Sequence, residues 1–203
     1  ISTIILIFMS SWLLILGGIV FIVLLKIYEE SDYLQLKCII SDVDGKTYCV
    51  RERAKLELAA DLLAKTTTNL NKLVAHMREN LPEHKITKLF IERYNPKKIQ
   101  ETLPTSKHTA YSENKGEKLA FCLDTKKNNK GELIDENTLM FVALHEIAHI
   151  GTEDIGHTDN YWNNFKFIIE QAKEIGIYEP VNYGENPKEY CGMSITDNPY
   201  FDL

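Results

Sequence analysis

Leu139 to Trp162 reads LMFVALHEIAHIGTEDIGHTDNYW, and within it His145, Glu146 and His149 form the pattern H-E-x-x-H. On a helix, residues four apart lie one turn apart on one face, with about 6 Å between Cβ atoms, so the two imidazoles can share one metal ion. Glu146 stands about 100° round from His145. Its carboxylate would reach a water on that metal without being a ligand, and would act as the base that takes the water's proton. The pattern needs a helix, and the sequence supplies one. Asp135 is placed to be its N-cap; Leu139, Met140, Ala143, Leu144, Ile147, Ala148 and Ile150 give it a broad apolar surface, and Gly151 stands where a C′ residue belongs. A helix this apolar tolerates two histidines and a glutamate only if their polar groups find partners, and a metal ion is one.

A third ligand is expected downstream. His157 follows in Ile155-Gly156-His157-Thr158, where Gly156 would let the chain turn back towards the helix. Glu170 and Glu174, on the next helical stretch, are the rival candidates. The metzincin spacing is absent, because Thr152 and Ile155 stand where it requires Gly and His. The stretch that follows carries an apolar stripe of Trp162, Phe165, Ile168, Ile169, Ala172 and Ile175 and ends at Gly176. That stripe would pack on the H-E-x-x-H helix and fix His157. Residues 177–203 are rich in Tyr, Pro and Asn without clear periodicity. Tyr178, Tyr183 and Tyr190 are candidate donors to a tetrahedral oxyanion, with Tyr190 first because Cys191-Gly192-Met193 reads as a tight turn that would pass beneath the metal.

The run from Glu117 to Phe165 resembles the WLM and SprT-like zinc metallopeptidases, in which a strand leads into an H-E-x-x-H helix, a short loop, a G-H or P-H step and an aromatic-bearing helix. The stretch Asn137-Thr138-Leu139-Met140-Phe141-Val142 and the tail from Gly176-Ile177-Tyr178 to Tyr190-Cys191-Gly192-Met193 resemble still more the predicted metallopeptidases of large DNA viruses. The resemblance implies zinc held by His145, His149 and His157, with Glu146 as general base. It also implies an edge strand beside the active helix that holds an extended substrate; residues 117–123 are the candidate, with Leu119 and Phe121 as substrate-binding residues. The spacer from His149 to His157 is longer than in the cellular enzymes, and their partner-binding tails are not seen, so their DNA–protein crosslink substrate is not implied.

Residues 1–25 carry no charged side chain. As a helix they would span about 37 Å, enough to cross a roughly 30 Å hydrocarbon core with tilt. No small-residue cleavage site follows, so a membrane anchor is expected in place of a secretory signal. The net charge of −6 then belongs to residues 27–203, and an acidic domain argues against a nucleic-acid-binding face. Its two lysine clusters, Lys97-Lys98 and Lys126 to Lys130, fall in expected loops. Residues 36–51 read as a hairpin around Asp44-Gly45 that would bring Cys38 opposite Cys49; disulfide and free thiols both remain open. A long helix is expected from Ala54 to about Leu81, stopped by Pro82. A short helix or strand follows over 86–94, then a loop bracketed by Pro96 and Pro104, then a second hairpin turning at Asn114-Lys115-Gly116.

The expectation is therefore an α+β, zincin-like metallopeptidase domain, 27–203, behind one N-terminal transmembrane helix, 1–26. It would hydrolyse peptide bonds in a protein or peptide substrate, using Zn2+ and a glutamate base. Two other classes stay open: a minor capsid or virion structural protein that links an internal membrane to the shell while retaining the metallopeptidase fold, and a metal-binding module without turnover. An intact Glu146 favours the enzyme, since a purely structural zinc site needs no general base.

Overall fold

Each stretch of helical apolar spacing forms a helix in the computed structural model, which describes residues 2–127 and 132–202. Helix α1, Ser2–Glu30, leads; from Trp12 to Glu30 it is long and apolar enough to cross a membrane, and none of that length is buried. Ser31 caps the short α2, Asp32–Gln35, and Lys118 pairs with Asp32 at 2.8 Å. Strands β1, Leu36–Ile40, and β2, Thr47–Arg51, form the expected antiparallel hairpin, with Gly45 at φ 69° in the turn. Cys38 faces Cys49 in that register, and the two are joined as a disulfide.

The long helix α3, Leu56–Asn80, runs unbroken through its threonines, where the Thr66 hydroxyl donates to the Leu62 carbonyl. The ambiguous segment before Pro96 is helical: α4, Lys85–Arg93. Next come β3, Ile99–Glu101; β4, Ala110–Glu113; β5, Lys118–Phe121; α5, Glu136–Ile150; and α6, Asp159–Glu174. The aperiodic tail folds into β6, Lys188–Tyr190, β7, Met193–Ile195, and a final turn of helix α7, Pro199–Asp202. The end of the second lysine cluster, from Asn128 to Lys130, lies outside the described residues.

The central sheet has the order β3-β5-β4, with β3 parallel to β5 and β4 antiparallel to it. This corrects two expectations. A strand, β3, lies in the segment read as a loop between Pro96 and Pro104. Its pairing puts β5 in the middle of the sheet, so residues 117–123 are not an edge strand, and Leu119 and Phe121 are fully buried core residues out of reach of any substrate. The edge beside α5 is β4.

Under the sheet, Arg51 is 1% exposed and donates to the carbonyls of Thr102, Leu103 and Lys127. Arg53 pairs with both Glu101 and Asp124. Two buried carboxylates thus meet two guanidinium groups, which satisfies charges that would be costly alone and ties β2 to β3 and to the end of β5. A second disulfide, Cys122–Cys191, joins that same end of β5 to the β6–β7 hairpin. Gly151 departs from its expected role. It ends α5 at φ −76°, and it is needed for space: a Cβ there would lie 2.8 Å from Ile86 and 2.9 Å from Phe90 of α4.

Candidate functional site

The Asp135 carboxylate accepts from the Thr138 N–H at 2.9 Å and starts α5 where the sequence places its cap. Two turns on, His145 and His149 stand on one face, ring centroids 5.1 Å apart. His157 arrives on the loop between α5 and α6, just before Thr158 caps α6. Its Nε2 lies 3.2 Å from Nε2 of His145, and one nitrogen from each of the three imidazoles lies within 4.8 Å of the other two. Two ring nitrogens so close need a proton or a cation between them. A tetrahedral zinc with nitrogen ligands at 2.0–2.1 Å sets them about 3.3 Å apart, so the donor set and spacing fit that ion. Glu170 and Glu174 stand exposed on α6, outside this cluster.

Aromatic side chains from α6 wall the imidazoles. Tyr161 is fully buried, stacks on His149 at 4.3 Å, and donates its hydroxyl to the His145 carbonyl at 3.1 Å. Trp162 lies against His157 at 5.3 Å, and Phe165 meets His145 edge-on at 5.4 Å. The loop bearing His157 is held from the opposite side by Lys115, in the β4–β5 turn. Its ammonium donates to the carbonyls of Thr152 and Asp154, both at 2.8 Å, and lies 3.5 Å from the His149 carbonyl in the last turn of α5, where a cation is favourable. Asp154 in turn accepts from Thr158 and Asn160, each at 2.9 Å.

The strand facing the triad is β4. The Thr109 carbonyl accepts from the Cys122 N–H, which sets the alternation of the ladder. Tyr111 turns its main chain towards β5, while Ala110 and Ser112 turn theirs outward, towards α5. Glu146 is 6% exposed and takes a hydrogen bond from the Ser112 main chain. A cleft of about 530 Å³ opens here, lined among others by Ala110, Ser112, Lys115, Glu146, His149 and His157.

Burial governs the charges. Desolvation, with the neighbouring His149 and His157 adding to it, pushes His145 down to about 3; desolvation chiefly, then His157 and Lys115, push His149 down to about 4. Both rings are therefore neutral at physiological pH, with lone pairs free for a cation. Desolvation pushes Glu146 up to about 8, against the Ser112 hydrogen bond. These shifts tie the stability of the metal-free protein to pH. Below pH 6.5 the unfolded chain protonates both imidazoles and the folded chain does not, so acidification costs stability. From 4.5 to about 8 the folded chain holds a proton on Glu146 that the unfolded chain has lost, so rising pH costs stability. With two groups against one below 6.5 and Glu146 alone above it, their combined contribution peaks near pH 6.5. Thermal melts of chelator-treated full-length protein from about pH 5 to about pH 8 check this; a melting point that climbs steadily across the range contradicts it.

Of the residues singled out from sequence, the structure brings His145, Glu146, His149 and His157 together. Leu119 and Phe121 lie in the core behind them. Tyr190 is 2% exposed, its hydroxyl donates to the Thr109 carbonyl at 3.2 Å, and it lines a cavity together with His145 and Glu146. Tyr178 and Tyr183 pack around Phe141. Tyr161, Lys115, Ala110 and Ser112 are the site residues that sequence reasoning missed. Tyr161 was findable, four residues before Phe165 on the same stripe. Lys115 gave no signal beyond its place in a turn.

Comparison with known proteins finds relatives in viruses. The chain is 30% identical over 190 residues, 92% of its length and 93% of the relative's, to "Uncharacterized protein R325" of Acanthamoeba polyphaga mimivirus. It is 36% identical over 70 residues, 34% of this chain and 38% of the relative, to "Uncharacterized protein 136R" of Invertebrate iridescent virus 6. It is 44% identical over 61 residues, 29% of this chain and 36% of the relative, to "Uncharacterized protein 042R" of Invertebrate iridescent virus 3. No protein-family model and no solved structure matches. The extent of the first match means that the chain belongs to one family with mimivirus R325.

Proposed function

We propose that this member of the mimivirus R325 family is a membrane-anchored zinc metallopeptidase of zincin-like, WLM/SprT-like type. The observation that carries the reading is the convergence of three imidazoles at metal-binding distance beside a buried, non-ligating glutamate. His145, His149 and His157 would hold zinc. Zinc, when bound, supplies a Lewis acid that makes water nucleophilic near neutral pH. Glu146, whose buried carboxyl a bound dication would bring down into the range of a base, would take the proton of the attacking water and return it to the leaving amine. Ala110 and the Ser112 carbonyl, on the outward edge of β4, offer main-chain partners to an extended peptide, which gives binding that tolerates many sequences. Tyr161 and Lys115 keep the ligands in place.

Helix α1 is read as the anchor, and the two disulfides favour an oxidising compartment or particle. The viral relatives keep a virion role open, with capsid or other virion proteins as partners and an internal virion membrane as the site; detection in purified particles would test it, and activity would not exclude it.

The test of the peptidase is zinc content and its removal. Full-length protein purified in detergent should carry about one zinc per chain and hydrolyse an unfolded protein substrate. Chelation should stop hydrolysis, and added zinc should restore it. Protein free of zinc after gentle purification, and unable to take it up, refutes the assignment.

Lys115 gives a second prediction. Lys115→Met removes the ammonium that ties the Thr152 and Asp154 carbonyls, so the His157 loop loosens. Zinc affinity, measured by competition with a chromophoric chelator, should fall by about 10–100-fold, the range for groups that orient metal ligands. Lys115→Arg, which keeps the charge and donors, should recover most of the loss.

A further inference from the structure

A second cavity, of about 300 Å³, opens on the other side of His145 and Glu146 from the cleft just described, and shares both residues and Ala110 with it. Its walls are mainly apolar, with Phe141 and Val142 from α5, Trp162 and Phe165 from α6, and Met193 and Ile195 from β7; Thr109, Tyr190, Ser194 and Thr196 complete them. Among the described residues no Lys or Arg lines it, and apart from Glu146 its one acidic residue is Asp197. Its volume is at the low end for ligand pockets and suits one side chain, not a whole cofactor.

The wall from β7 is a built feature. Cys191 and Gly192, at φ 50° and 78°, turn the β6–β7 hairpin, and their N–H groups donate to the Asp124 and Thr125 carbonyls, both at 2.9 Å. The Cys122–Cys191 disulfide fastens the same turn to the end of β5. Met193, 49% exposed, is held across to β4 by the Thr109 hydroxyl, which donates to its thioether at 3.5 Å. The hairpin thus keeps an apolar wall standing that water would otherwise favour collapsing.

We propose that this recess is the specificity pocket of the enzyme and takes one large apolar side chain, Leu, Phe or Met, from the substrate residue next to the scissile bond. The inference rests on the peptidase reading above. A peptide lying along the outward edge of β4 runs from the first cleft past His145 and Glu146, and its side chains alternate in direction. One of them points into the recess while the neighbouring amide faces the triad. Acidic side chains meet Glu146 and Asp197 with no Lys or Arg lining the recess to pair with them. Gly and Ala leave the apolar walls wet.

The test is cleavage profiling of a randomised peptide library with full-length, zinc-loaded protein, reading the new termini. One position beside the cut should be enriched about 10–100-fold in Leu, Phe and Met over Gly and Asp, as expected for burying one large side chain. Ile195→Trp, on the half-buried hairpin wall, should shift that position towards Gly and Ala; Val142→Phe does the same from α5 if the hairpin variant misfolds. A flat profile, an enrichment in Lys, or a preference that neither variant moves overturns the pocket and leaves the peptidase standing. If no peptide is cut, equilibrium binding to Glu146→Gln protein decides. A labelled extended peptide with a central Leu that binds at least about 10-fold more tightly than its Gly counterpart, and loses the advantage in Ile195→Trp, keeps the pocket while the peptidase reading falls. Equal binding of the two peptides overturns the pocket as well.

Discussion

Glu146→Gln is expected to cut peptide hydrolysis by about 10²–10⁴-fold while zinc content and the melting point of the zinc-loaded protein stay near wild type. The substitution keeps the size of the side chain and an oxygen to accept from the Ser112 main chain, but removes the basic site. The carboxylate sits 6% exposed between β4 and the triad, close enough to handle a proton and outside the set of nitrogens that would hold the metal. Its high proton affinity comes from burial, and a bound dication nearby would lower it towards the working range of a base. Hydrolysis that survives the substitution unchanged belongs to another site or a contaminant, and the virion structural role gains. Loss of zinc together with activity shows that Glu146 acts on the site's assembly and not only on protons.

His157→Ala is expected to have the largest effect on the metal itself. It removes one of three protein ligands, and replacing even an orienting partner of a ligand typically costs about 10–100-fold, so a loss of about 100-fold or more in zinc affinity follows. Activity should track the metal and recover partly at high zinc. Glu170→Ala should leave zinc binding unchanged, because that carboxylate is exposed on α6 and outside the cluster. Competition against a chelator of known affinity measures both. Zinc released by Glu170→Ala but not by His157→Ala would assign the third ligand to the downstream glutamate.

Residue spacing alone made the local features legible. The one-turn spacing of His145 and His149 is a property of any helix, and the cap at Asp135 with the apolar spacing after Leu139 marked that helix out. The same holds for α3 and α6, for the Asp44-Gly45 and Asn114-Lys115-Gly116 turns, and for the apolar length of α1. His157 was legible as a candidate from the resemblance and from Gly156, at φ 83°, which signals a chain reversal; Glu170 and Glu174 lie exposed on α6, outside the cluster.

Which partners meet across long separations emerged only from packing. Leu119 and Phe121 alternate as either a central or an edge strand would; β5 is central because Ile99–Glu101 pairs with it, and main-chain hydrogen bonds leave no mark on side-chain pattern. The edge strand beside α5 is thereby β4, which carries Ala110 and Ser112. Cys122 finds Cys191 across 69 residues, and Lys115 finds the carbonyls beyond α5, through packing that no spacing rule encodes. Local periodicity records the turn-to-turn geometry of one element; the site's edge strand, its loop clamp and its apolar recess are made where separate elements pack together, and their contacts are set by the whole chain's burial.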